Sequence, residues 1–160
     1  MGEGGSKPAK RFTEPIMTTY ESIEDLQDAL VKAGLESSNL VIGIDFTGSN
    51  AKSGLKTYGK NLHTIDPSNP NPYIRVMEVM ARTLSRFDDD NLFPVFGFGD
   101  KRTADRSVFD LNPQGQPFHG IEAAIDAYKN VVRNIILSGP TSFVPLINKT
   151  IEIVKETKQY

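Results

Sequence analysis

An α/β fold, with helices around an open sheet, is predicted by three features of this 160-residue sequence. Two short apolar runs, Leu40 to Ile44 and Leu92 to Phe98, have the length of buried strands. Other stretches carry apolar residues at helical spacing. Polar groups follow the first run at once: Asp45, Thr47 and Ser49 stand at alternate positions beyond it. The carboxyl end of a central strand is where open α/β sheets place ligands.

Length and composition fit one domain with a core of its own. The net charge of −2 provides no general attraction to nucleic acid or anionic lipid. The absence of cysteine excludes disulfides, thiol catalysis and cysteine-ligated metals within these residues. No apolar run approaches the ~20 residues of a membrane span, and no signal-peptide core is visible near the start. The expected location is cytoplasm or nucleus.

Residues 1–18, rich in Gly, Pro, Lys and Arg, read as a disordered tail ahead of a domain covering 19–160. Met1-Gly2-Glu3-Gly4-Gly5-Ser6 fits the loose N-myristoylation pattern at Gly2, and Lys7, Lys10 and Arg11 add a weak basic signal. Acylation there would bring the chain to the plasma membrane; Glu3 counts against it.

Ser22 to Ala33 is predicted as an amphipathic helix, with Ser22 as N-cap, Ile23, Leu26, Leu30 and Ala33 on one stripe, and Gly34 as the stop. The strand Leu40 to Ile44 follows. One carboxylate and two hydroxyls, each two residues apart, converge if the loop after it curls, which Gly48 allows. Such oxygen donors suit a hard cation such as Mg²⁺. Residues 50–71 show many turn formers and little periodicity, so a surface loop is expected. Gly54 to Asn61 nearly matches a phosphate-binding loop, but Asn61 replaces the final Ser/Thr, and no strand precedes it.

Pro72 to Phe87 reads as a helix with Tyr73, Val76, Met77, Met80, Ala81, Leu84 and Phe87 inward. Asp88 to Asn91 is a connector; Leu92 stands where an EF-hand needs its third ligand. Pro94 removes one backbone donor from the Leu92 to Phe98 strand, which places it near an edge or a bulge. Asp100 then serves as an outer-sphere partner of an ion at Asp45 or as a loop cap. Gly97-Phe98-Gly99 lacks the third glycine of a dinucleotide loop. Ser107 to Leu111 reads as a short antiparallel strand and Asn112 to Gly115 as a turn. Gly120 to Val132 is a helix with Ile121, Ala124, Ile125, Tyr128 and Val131 or Val132 inward. His63 and His119, without metal spacing, read as surface residues. In the loop Ser138 to Phe143, Thr141 and Ser142 offer hydroxyls. The last helix has Val144, Ile147, Ile151 and Val154 on one face.

The ordered set Asp45-Phe46-Thr47-Gly48-Ser49-Asn50, Phe96-Gly97-Phe98-Gly99-Asp100 and Gly139-Pro140-Thr141-Ser142-Phe143 resembles the copine-type von Willebrand factor A domain, most closely that of the plant RING-domain ubiquitin ligases called the RGLG family. The resemblance extends from Tyr20 to the C-terminus. It implies a Rossmann-like fold with a mostly parallel sheet and a metal-ion-dependent adhesion site. Asp45, Thr47 and Ser49 match that site's first loop and Thr141 its second, with Mg²⁺ as the implied ion. The family's next strand, ending in an Asp-Gly pair, has no counterpart before Tyr160. A truncated domain is therefore expected, with an incomplete and weak ion site and the Leu40 to Ile44 edge open to self-association. The implied function is protein binding in ubiquitination. The partner would be a substrate, an E2-system protein or a full-length relative. Without cysteines these residues build no RING, and no nucleophile–base arrangement marks an independent enzyme. A copine-like membrane adaptor and a non-functional fragment of a ligase gene are the alternatives.

Overall fold

A computed structural model describes residues 19–35 and 39–157. The tail expected over residues 1–18, with Gly2, lies outside the described residues. The α/β class holds. The first helix, α1 (Ile23–Lys32), begins where expected, with Ser22 Oγ accepting the Asp25 amide at 3.0 Å. It ends ahead of Gly34, whose φ of +98° favours glycine.

Strand β1 (Ile42–Asp45) starts two residues later than the apolar run and includes the aspartate. Only Ile44 of this strand is fully buried. Next comes α2 (Ser49–Thr57), a helix where a loop was expected. Its sequence, SNAKSGLKT, has almost no apolar stripe, and Leu55 is exposed. Tertiary contacts hold it instead. Gly54 packs so closely on the backbone of Lys60 and Leu62 that a Cβ would not fit, and the Leu62 amide donates to the Asn50 carbonyl at 3.2 Å.

Helix α3 (Pro72–Leu84) is capped by Asn71, whose Oδ1 accepts the Ile74 amide at 3.0 Å. Its buried face is rotated from the expected stripe. Ile74 and Met77 are buried, whereas Val76 and Met80 are exposed. Phe87, beyond the helix, is buried as expected.

The apolar run Leu92 to Phe98 is two strands, not one. β2 (Leu92–Phe93) stops at Pro94, and β3 (Val95–Phe98) begins after it. Pro94 marks a change of sheet rather than an edge, because β3 is the central strand of its sheet and all four of its residues are buried. It runs parallel to β1 and antiparallel to β4 (Val108–Asp110), while β2 pairs with β5 (Phe118–His119). Gly97 leaves room for the stacked rings of Phe46 and Phe109, 5.9 Å apart.

Helix α4 (Ile121–Val132) buries Ala124, Ile125 and Tyr128, as its spacing predicts. These join Ile44, Phe46, Ile74 and Met77 in the core on one face of the sheet. Helix α5 (Val144–Thr157) covers the other face, where Leu146 fills the space over Gly43 and Phe143 tilts against Phe98. Val144, Ile147 and Ile151, expected inward, are exposed.

Candidate functional site

The end of β1, the start of α2 and the loop before α5 meet at one point. Asp45 is the last residue of β1, and its Oδ1 accepts the Thr47 amide at 2.7 Å, which curls the loop. The Thr47 hydroxyl lies 2.8 Å from that of Ser49, the first residue of α2, and accepts from the Thr141 hydroxyl at 3.2 Å. Thr47 is buried and Ser49 exposed, so the cluster runs from interior to surface. The two loops are stitched by backbone: Gly48 N donates to the Ser138 carbonyl at 2.5 Å, and Ser138 N to that of Phe46 at 3.2 Å. Gly99, at φ +79°, lies against the Thr47 methyl, where a Cβ would clash.

Asp45, Thr47, Ser49 and Thr141 are thus brought together. Their chemistry is one carboxylate and three hydroxyls, hard oxygen donors of the kind Mg²⁺ prefers. No group of three or more His, Cys, Asp or Glu able to hold a metal occurs among the described residues. Asp100 acts as the loop cap. Its Oδ1 accepts from the Thr103 amide (2.9 Å) and hydroxyl (2.6 Å), and Arg102 reaches Oδ2 at 3.1 Å. Burial alone would raise its pKa, but the bonds from Thr103 and Arg102 outweigh that and hold the carboxyl below its usual range.

His63 is not a surface residue. It is 4% exposed and lies between Phe46 and Tyr73, with ring centroids 4.9 and 4.3 Å away. His119 is exposed, as expected. His63 Nε2 is 2.8 Å from the Asp45 carbonyl, and Nδ1 is 2.8 Å from the Tyr128 hydroxyl. A carbonyl only accepts, so Nε2 carries the proton and Nδ1 accepts from Tyr128. The Tyr128 hydroxyl in turn accepts from Asn71 Nδ2 at 3.0 Å. Burial pushes His63 down to about 4, against opposing pulls from the Asp45 carbonyl and charge. Burial likewise raises Tyr73 and Tyr128 above the usual phenol range. Asn50 Nδ2 and the Tyr73 hydroxyl also reach the Asp45 carbonyl, at 2.9 and 3.0 Å.

Of these five supporting residues only Asn50 stood within the motif read from the sequence, without a role; His63, Asn71, Tyr73 and Tyr128 were not legible as part of the site. The available hint was that Tyr73 and Tyr128 fall on inward helix faces, where a buried hydroxyl needs a partner.

Comparison with known proteins bears on the same segments. The family profile described as Copine matches residues 61–160, more than half of the chain. The chain belongs to the copine family. E3 ubiquitin-protein ligase RGLG2 of Arabidopsis thaliana is 43% identical over 157 residues, covering 98% of this copine chain and 33% of the relative. E3 ubiquitin-protein ligase RGLG4 of the same plant is 44% identical over 142 residues, covering 88% and 35%. Copine family protein 1 of Caenorhabditis elegans is 38% identical over 148 residues, covering 92% and 13%. The copine chain thus spans about a third of the length of these plant relatives.

Proposed function

We propose that this copine-family chain is a protein-binding module in which Asp45, Thr47, Ser49 and Thr141 hold Mg²⁺ and offer it to an acidic side chain of a partner. The observation that supports this most is the buried Thr47 hydroxyl. It touches the hydroxyls of both Ser49 and Thr141, although Thr141 is 94 residues away. Hydroxyl groups brought together from two loops at the end of a strand form a small set of hard donors. With one carboxylate against a dication, positive charge is left over, and a partner's carboxylate would neutralise it. A site with so few charged ligands binds weakly, at about millimolar Mg²⁺.

Relatives named E3 ubiquitin-protein ligases direct the search for that partner to ubiquitination substrates, E2-system proteins and full-length relatives. These 160 residues hold no cysteine, so their contribution is recognition rather than zinc-dependent ligase chemistry.

Thermal unfolding with and without about 10 mM Mg²⁺ tests the ion, since a ligand stabilises only the state that binds it. The transition should rise with Mg²⁺ in the unmutated chain and not in Asp45→Ala. A melt indifferent to Mg²⁺ in both would reject the reading.

A further inference from the structure

The ladder shows why the Asp45 carbonyl needs a partner from outside the sheet. Ile42 N donates to the Pro94 carbonyl at 2.9 Å and Phe46 N to that of Phe98 at 2.8 Å. Residues 42 and 44 therefore turn their main-chain groups toward β3, as Phe46 does its amide. Asp45, in alternate phase, turns its carbonyl toward the edge of β1 that carries no strand among the described residues. A main-chain acceptor left unpaired there is costly.

Side chains from α2, the following loop and α3 fill that role: Asn50, His63 and Tyr73. Asn50 and Tyr73 also bond to one another at 2.7 Å. His63 has a deeper anchor. Its second ring nitrogen is held by Tyr128 of α4, and Tyr128 by Asn71 at the start of α3. Tyr128 is 0% and Asn71 1% exposed, so this chain of bonds runs through the interior.

We infer that His63 is a positioning residue for the Asp45 carboxylate. Anchored by Tyr128 and Asn71, it grips the Asp45 carbonyl and so fixes the backbone from which Oδ1 accepts the Thr47 amide. Its consequence for ion binding rests on the Mg²⁺ reading above; the positioning itself does not.

Hydrogen exchange at the Thr47 amide, measured by NMR on the metal-free chain, reads the positioning directly. The Leu111 amide, bonded to the Val95 carbonyl at 2.9 Å, serves as the reference within the sheet. Calorimetric titration with Mg²⁺ reads the ion. Tyr128→Phe keeps the ring and removes the hydroxyl; His63→Gln keeps a donor for Asp45 and loses the anchor. Met77→Ala destabilises the same core while removing none of the relay's hydrogen bonds.

In Tyr128→Phe and His63→Gln, exchange at Thr47 should rise about tenfold relative to Leu111, and Mg²⁺ affinity should fall about tenfold, in the range for residues that orient metal ligands. Met77→Ala should change neither the ratio nor the affinity. Unchanged relative protection of Thr47 in Tyr128→Phe overturns the inference, even if that variant melts earlier. If the unmutated chain takes up no Mg²⁺ while Thr47 is selectively loosened, the positioning stands and the ion reading fails. If Mg²⁺ binds equally to every variant with Thr47 still protected, the ion reading stands and the positioning fails.

Discussion

The His63 imidazole donates to the main-chain carbonyl of Asp45 across 2.8 Å, joining a buried aromatic cluster to the carboxylate-bearing end of β1. That bond requires a proton on Nε2, and burial keeps the ring neutral, so that Nδ1 accepts from Tyr128. This ties the integrity of the site to pH and to the packing beneath it.

Stability should fall on mild acidification. His63 titrates near 6.5 when unfolded and at about 4 in the fold. Between these values the unfolded chain takes up a proton that the folded chain resists. The contribution is therefore complete above pH 6.5 and is lost as pH falls toward 4, amounting to at most about 3 kcal/mol. Urea denaturation at pH 7.5 and 4.5 measures it. The difference should shrink in His63→Gln; an equal difference in both chains would assign the effect elsewhere.

Gly99→Ala should damage the site more than an ordinary surface change. The added Cβ meets the Thr47 methyl, and φ of +79° strains any residue with a Cβ. A cost of about 1–3 kcal/mol is expected, together with loss of the Mg²⁺-dependent rise in melting. Gly115→Ala, at φ +69° but in open space, should be destabilised with its Mg²⁺ response intact.

Asp100→Ala separates a loop cap from an ion ligand. Removing it strands the buried Thr103 hydroxyl and amide. A loss of about 1–3 kcal/mol is expected, with Mg²⁺ affinity unchanged. Abolished Mg²⁺ binding in a folded Asp100→Ala chain would restore the outer-sphere role.

The rotation of α3 is checked by two neighbouring residues. Met77 is 3% and Val76 60% exposed. Met77→Ala should cost about 2–5 kcal/mol, and Val76→Ala less than about 0.5 kcal/mol. Comparable losses in chemical denaturation would put the buried face where the spacing alone had it.

Self-association should occur through β1, which stands at the edge of its sheet among the described residues. The Asp45 carbonyl is already taken, so pairing is confined to the residues before it. Light scattering across a concentration series should show dimers that Val41→Lys disperses, since an edge charge discourages strand addition. A monomer at every concentration would dismiss the expectation.

Local pattern carried much of the fold and little of the site's support. Ser22 and Gly34 bracket α1 because capping is written in adjacent residues. Tyr128 follows from the 3.6-residue period of α4. By contrast, α2 has no apolar stripe and depends on Gly54 meeting the 60–62 backbone. The α3 stripe contained more apolar residues than the core uses, so its count did not fix its rotation. Asp45, Thr47 and Ser49 announced themselves by spacing, and Thr141 by resemblance. His63 could not, because its partners lie 18 and 65 residues away in sequence.

The contact between Thr47 and Thr141 closes a loop of 94 residues. Loop closure on that scale costs roughly 4 kcal/mol of chain entropy from its length-dependent part, so the contact is expected to form late in folding, once α3, β3 and α4 have shortened the effective loop. An ion spanning both loops would then act on the folded side of the barrier. Mg²⁺ should slow unfolding and leave the refolding rate nearly unchanged. The two limbs of a chevron plot, recorded with and without the ion, would show this as a shift confined to the unfolding arm.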